Sequence, residues 1–173
     1  MTTRPASLTA SEIACLERID QIAMLAQVEH WASINSGSGN LAGLAETAAL
    51  LTDAFSVLPG EVRLVDGAPV EAVRADGSID TVERGKHLVV SVRPGANVRL
   101  LLTGHMDTVF PADHPFQSLT WLEPGVLNGP GVADMKGGIA VMLAALKAVE
   151  ASPLGASIGY DVLINRDEEV GSA

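Results

Sequence analysis

The sequence predicts an α/β fold whose sheet is at least partly parallel. Three observations carry this prediction: apolar residues recur at helical spacing in three segments, short β-rich runs lie between those segments, and residues 98–104 and 158–165 are apolar at nearly every position. Continuous apolar runs are typical of strands covered on both faces, and strands that alternate with helices are typical of parallel sheets. A hydrophobic content of 47% with 18% charged residues is sufficient for a core.

The individual elements follow from periodicity and from turn residues. Residues 9–34 have the spacing of one long amphipathic helix, with Thr9 or Ser11 as its N-cap. The spacing of apolar residues predicts a second helix over residues 41–58, and Pro59 and Gly60 end it. The remaining predicted elements are strands at 61–65, 69–74, 87–93, 98–104 and 158–165 and a helix at 135–151.

Polar residues stand where three of these elements begin or end. His105 and Asp107 follow one apolar strand, Asp134 precedes the last helix, and Glu168 and Glu169 follow the last strand. Ligands of open α/β sheets bind beyond the carboxyl ends of the strands, so these side chains are expected to converge on one crevice.

A crevice that holds several carboxylates needs a cation, or some of the carboxylates must bind protons. A set of His, Asp and Glu suits zinc, with cobalt or manganese as alternatives. Asp134 could bridge two ions, and Asp107 could hold the His105 imidazole from behind as an orienting partner. Of the adjacent glutamates, one could bind metal while the other acts as general base.

Simpler interpretations exist for each grouping taken alone. Asp134 could be an ordinary helix N-cap, the two glutamates could form a solvated turn, and His114 lies in a Pro-bounded loop where surface exposure is expected. A plain α/β domain with a structural calcium ion is a further alternative, and it would leave His105 unused.

The motifs GHMDTVFP, GPGVADMKGG and NRDEEVGS, in that order and spacing, resemble the dizinc metallopeptidases. That family includes glutamate carboxypeptidase, acetylornithine deacetylase, succinyl-diaminopimelate desuccinylase and aminoacylase. The early segment WASINSGSGNLAGLAE is most similar to the glutamate carboxypeptidase branch.

The resemblance implies a role for each residue. His105 would bind one zinc ion, Glu169 the other, and Asp134 both, while Asp107 would orient His105. Glu168 would take a proton from the water between the ions as it attacks an amide carbonyl, and pass it to the leaving amine. The implied activity is hydrolysis of a peptide or N-acyl amino acid, of carboxypeptidase or deacylase type.

The resemblance also implies a zinc-peptidase-like α/β/α sandwich with a mostly parallel central sheet. Residues 1–173 would be the N-terminal part of the catalytic domain, with residues 1–8 flexible. An inserted dimerisation domain, the C-terminal part of the catalytic domain and one further ligand for each zinc would lie outside this chain. We therefore expect a homodimeric full-length enzyme and an inactive fragment; a non-catalytic binding module that retains the fold is the alternative.

Charge and cysteine content narrow the remaining possibilities. The formal net charge of −10 argues against nucleic acid as a partner, because no basic stripe is present to neutralise phosphates. No apolar run reaches the length of a membrane span, and no secretory signal follows Arg4. The single cysteine, Cys15, is expected to be buried and inert, which fits a cytoplasmic location.

Overall fold

A computed structural model describes residues 8–172. Most of the segment predicted to be flexible, residues 1–7, lies outside the described residues. Four helices are present: α1 (Ala10–Leu16), α2 (Gln21–Ala32), α3 (Leu41–Phe55) and α4 (Gly137–Glu150). Within residues 8–172, none of the helices is long and apolar enough to span a bilayer.

The predicted long first helix is in fact two helices. Thr9 caps α1 in a reciprocal capping box with Glu12, as one of the two predicted N-caps. The Asp20 carboxylate then accepts hydrogen bonds from the amides of Ile22 and Ala23, which begins a new helix. Apolar spacing continues across this break, so periodicity alone does not detect it. Cys15 is 7% exposed, as expected.

Eight strands are present: β1 (Glu61–Asp66), β2 (Val70–Val73), β3 (Ile79–Val82), β4 (Lys86–Val92), β5 (Val98–His105), β6 (Thr120–Glu123), β7 (Val126–Asn128) and β8 (Ile158–Asn165). The main sheet has the strand order β1-β4-β8-β5, and the pairs β2-β3 and β6-β7 form separate two-stranded sheets. The sequence analysis missed β3 and the β6-β7 hairpin.

The α/β class is confirmed, but the described sheet is mixed rather than mostly parallel. Only β5 and β8 pair in parallel, while β1-β4 and β4-β8 pair antiparallel. The connection decides the direction in each case. α4 crosses over between β5 and β8, whereas β1 and β4 are joined by an excursion without a crossover helix, which returns the chain antiparallel.

One core lies between α2, α3, α4 and one face of the main sheet. The face is built from paired residues, such as Leu88 with Ile164 and Val90 with Val162, all fully buried. On the opposite face Leu101 is 69% exposed, so the expectation that β5 is covered on both faces is wrong for the described residues. These residues supply two of the three layers of the predicted sandwich.

Candidate metal centre

The sheet brings the predicted site residues to one edge. His105 is the last residue of β5 and is paired with Asn165, the last residue of its parallel neighbour β8. The chain continues from β8 into a short 3-10 turn, Glu168–Val170, which carries both glutamates. Asp134 lies in the irregular turn Val132–Lys136 that leads into α4. All of them therefore surround the carboxyl ends of two adjacent strands, as predicted.

The His105 ring is held by both of its nitrogen atoms. Nδ1 lies 3.0 Å from the backbone carbonyl oxygen of Asp107 and 3.4 Å from its carboxylate. Because a carbonyl oxygen can only accept, Nδ1 carries a proton. Nε2 lies 2.9 Å from Asp134 Oδ1, so this nitrogen faces the proposed bridging carboxylate. A histidine whose Nδ1–H is fixed in this way presents Nε2 to a metal.

Asp107 organises both ligand-bearing segments, although its side chain is fully buried. Its Oδ2 accepts hydrogen bonds from Ser38 Oγ (2.7 Å) and from the Glu169 amide (3.2 Å). Its Oδ1 accepts from the Glu168 amide at 3.1 Å and lies beside the His105 ring. The carboxylate thus joins the end of β5 to the turn after β8, a wider role than the orienting of His105 alone.

His105, Glu168 and Glu169 form a cluster whose ligand atoms all lie within 4.8 Å of one another. Asp134 lies beside this cluster: its carboxylate contacts His105, and its side chain is 76% exposed. The structure therefore brings all five predicted residues to one site, with three potential ligands clustered and Asp134 next to them. Their individual roles stay predictions.

The electrostatics of the site reflect an excess of carboxylates over cations. The hydrogen bond to Asp107, and a second to Asp134, raise the pKa of His105 to about 9 despite its burial. Burial works to raise the pKa of Asp107, but hydrogen bonds from His105 and Ser38 outweigh it and hold that pKa below the usual value. Burial and the neighbouring carboxylates raise the pKa of Glu169. Such a site favours a bound cation.

The loop between α2 and α3 packs against the segment that follows β5. Ser36 Oγ donates a hydrogen bond to the carbonyl oxygen of Met106, and Gly37 forms a bridge with Thr108. A Cβ at Gly37 would lie 2.4 Å from the carbonyl oxygen of Phe110, so only glycine fits there. The Ser-Gly-Ser-Gly pattern of residues 36–39 indicates a loop, but not its contacts with the site.

Lys136 connects the turn Val132–Lys136 to the end of α2 through hydrogen bonds. Its side chain is 1% exposed, and Nζ donates to the carbonyl oxygens of Trp31 and Ile34, each at 2.9 Å. Burial lowers the pKa of this ammonium to about 8. The contacts fix Lys136, which directly precedes α4 and lies two residues after Asp134, and no sequence signal had indicated them.

Two open clefts flank the cluster. One, of about 390 Å³, is lined by His105 and Glu168 together with Met135 and Asn165. The other, of about 290 Å³, includes Asp134, Glu169, Phe110 and Phe116 among its lining residues. Glu168 is therefore open to a ligand through one cleft and Glu169 through the other.

The part of the chain that carries the site matches a known protein family. Residues 101–173, which contain all five site residues, match the family described as Peptidase family M20/M25/M40. The predicted resemblance is confirmed for this segment, and the matched family is by its description a family of peptidases.

Two curated proteins that are similar to this chain carry hydrolase names. Carboxypeptidase G2 of Pseudomonas sp. (strain RS-16) is 31% identical over 157 residues, which are 88% of this chain and 34% of that protein. Succinyl-diaminopimelate desuccinylase of Methylobacterium nodulans is 44% identical over 79 residues, 40% of this chain and 19% of that protein. The aligned part of this chain thus spans about a third of the length of carboxypeptidase G2 and about a fifth of the length of the desuccinylase.

The fold is also found in a solved structure. Human carnosine dipeptidase 1 superimposes with a TM-score of 0.74 over 97% of this chain and 37% of its own, at 22% sequence identity. At this identity the likeness is evidence for the fold alone. It agrees with the predicted zinc-peptidase-like α/β architecture.

Proposed function

We propose that this chain is part of a zinc-dependent hydrolase that cleaves the amide bond of a small peptide or N-acyl amino acid. The observation that carries the proposal is the cluster of His105, Glu168 and Glu169, whose ligand atoms lie within 4.8 Å of one another beside Asp134. The names of the two curated relatives, a carboxypeptidase and a desuccinylase, support the same class of reaction.

The residues at the site fit zinc by their chemistry. An imidazole nitrogen and carboxylate oxygens are the donors that zinc takes in hydrolytic sites. His105 Nε2, Asp134 and Glu169 would hold the metal. Cobalt and manganese accept the same donors. When bound, zinc polarises a carbonyl group and stabilises negative charge that develops on its oxygen.

The chain's own residues would divide the remaining work. Asp107 keeps the proton of His105 on Nδ1, so that Nε2 is available as a ligand. Glu168 would take a proton from the water molecule as its oxygen attacks the amide carbon. Glu168 would then give this proton to the leaving nitrogen as the C–N bond breaks, so that an acid and an amine are released.

The whole enzyme would need more chain than residues 1–173. Following the family resemblance, we propose that each zinc takes one further protein ligand from beyond this segment. An inserted domain would supply substrate contacts and a dimer interface, and the enzyme would be cytoplasmic. The 173-residue chain by itself would then bind zinc weakly and would not hydrolyse substrate.

Zinc affinity of the chain and of His105→Ala tests the metal site. We expect at least about a 100-fold loss of zinc affinity, because removing even an outer partner of a ligand costs 10–100-fold. Competition with a chromogenic chelator measures this loss. His30→Ala is the matched control, because His30 is exposed on α2, away from the site, and should leave the affinity unchanged.

Parallel titrations with calcium separate this proposal from the calcium alternative. A chain that prefers calcium, with an affinity that His105→Ala leaves unchanged, would overturn the zinc proposal in favour of a structural calcium site. If neither the 173-residue chain nor its full-length form binds either ion, the result would favour the alternative of a non-catalytic binding module that retains the fold.

A further inference from the structure

Among residues 8–172, the hydroxyl of Ser38 is the one side-chain donor to Asp107 that comes from outside the two segments with potential ligands. Ser38 lies in the loop between α2 and α3, 69 positions from Asp107, and is 6% exposed. Its Oγ donates to Oδ2 at 2.7 Å, the shortest of the contacts to that carboxylate.

Asp107 would lose its fixed orientation without this contact. Oδ2 would keep only the Glu169 amide, at 3.2 Å, and the carboxylate could rotate about its terminal bond. Rotation would weaken the contact with His105 Nδ1 and the bond from the Glu168 amide at Oδ1. Both segments that present potential ligands depend on that one carboxylate.

We propose that Ser38 is a positioning residue for the metal centre, acting through Asp107. This inference rests on the zinc-dependent function proposed above. Ser38 binds neither metal nor substrate; it fixes the carboxylate that sets the His105 ring and the Glu168–Glu169 turn. The loop between α2 and α3 thereby becomes part of the site's support.

The same loop provides a matched control. Ser36 Oγ is also fully buried and also donates one hydrogen bond of 2.7 Å to the segment after β5, but its acceptor is the Met106 carbonyl oxygen. Ser38→Ala and Ser36→Ala therefore each remove one buried hydroxyl that links the same two segments. Only Ser38→Ala removes a bond to the carboxylate.

Zinc affinity and thermal stability of the two variants test the proposal. We expect Ser38→Ala to weaken zinc binding about tenfold, the lower end of the effect of an outer partner, and Ser36→Ala to change it less than twofold. Without metal both variants should lose thermal stability, and Ser38→Ala should lose more, because its bond goes to a charged group. Equal zinc affinities in the two variants would overturn the positioning role and assign Ser38 to stability alone.

A second pair covers the case in which Ser38→Ala does not fold. Ser38→Thr and Ser38→Val have the same shape and differ in the hydroxyl, so tighter zinc binding by the threonine variant supports the proposal and equal binding overturns it. If neither the unmodified chain nor its full-length form binds zinc, the proposed function fails and this inference fails with it. Zinc binding with no difference between the serine variants sinks the inference alone.

Discussion

Asp107→Asn changes one buried oxygen atom into an NH₂ group and should destabilise the metal-free fold. The carboxylate accepts hydrogen bonds from Ser38 and from the amides of Glu168 and Glu169, and it contacts His105. An asparagine keeps only one of the two oxygens, so at least one buried N–H group faces an NH₂ group and loses its partner. Its desolvation costs about 1–3 kcal/mol.

The remaining bonds to position 107 weaken as well, because hydrogen bonds to a charged group contribute about 1.5–3 kcal/mol and neutral ones about half of that. The lowered pKa of Asp107 indicates that its environment favours the charged form, so removing the charge brings no compensating gain. We expect a loss of about 2–4 kcal/mol in the free energy of unfolding. For a chain of this size the melting temperature should fall by about 5–15 °C.

Thermal and urea unfolding in the presence of a chelator measure this loss without any contribution from metal. Asp134→Asn is the matched control, because it makes the same chemical change on a side chain that is 76% exposed. It should cost less than about 0.5 kcal/mol. An Asp107→Asn protein as stable as the unmodified chain, or an equal loss in Asp134→Asn, would refute the role given to the buried carboxylate.

Two further predictions concern the core and the supporting loop. Tyr160 is fully buried and is the single tyrosine of the chain, and burial raises its pKa. The folded state then keeps a proton that the unfolded state loses above about pH 10, so the unfolding free energy should fall by about 1.4 kcal/mol per pH unit there. In urea unfolding at alkaline pH, Tyr160→Phe should lack this decline. An unchanged decline would show that Tyr160 is not the group that causes it. Gly37→Ala places a Cβ 2.4 Å from a carbonyl oxygen and should cost about 1–3 kcal/mol, while a Cβ at Gly39 meets nothing within 4 Å. Thermal unfolding of both alanine variants checks this, and equal stabilities would count against the close packing of the loop.

The positions of the site residues could be predicted from the sequence because each stands at the end of a strongly patterned element. His105 follows an apolar strand, and Glu168 and Glu169 follow another. Parallel neighbours end at the same edge of a sheet, so convergence required only that β5 and β8 be adjacent. That adjacency follows from the crossover helix α4.

Contacts across long sequence separations could not be predicted in the same way. The bond from Ser38 to Asp107 joins two loops, and a serine in a glycine-rich loop is ordinarily exposed. Lys136 is a charged residue at a helix start, and nothing local indicates that it reaches the end of α2. The exposure of Leu101 could likewise not be predicted, because an apolar sequence does not reveal which neighbours cover it.

The most direct test of the account is the anomalous diffraction of crystals soaked in zinc, measured at the zinc absorption edge. The account predicts a peak within bonding distance of His105 Nε2, on the side that faces Asp134, and its loss in His105→Ala crystals. Peaks confined to other histidines, such as His30 or His114, would contradict the central claim that the strand-end cluster is a metal centre.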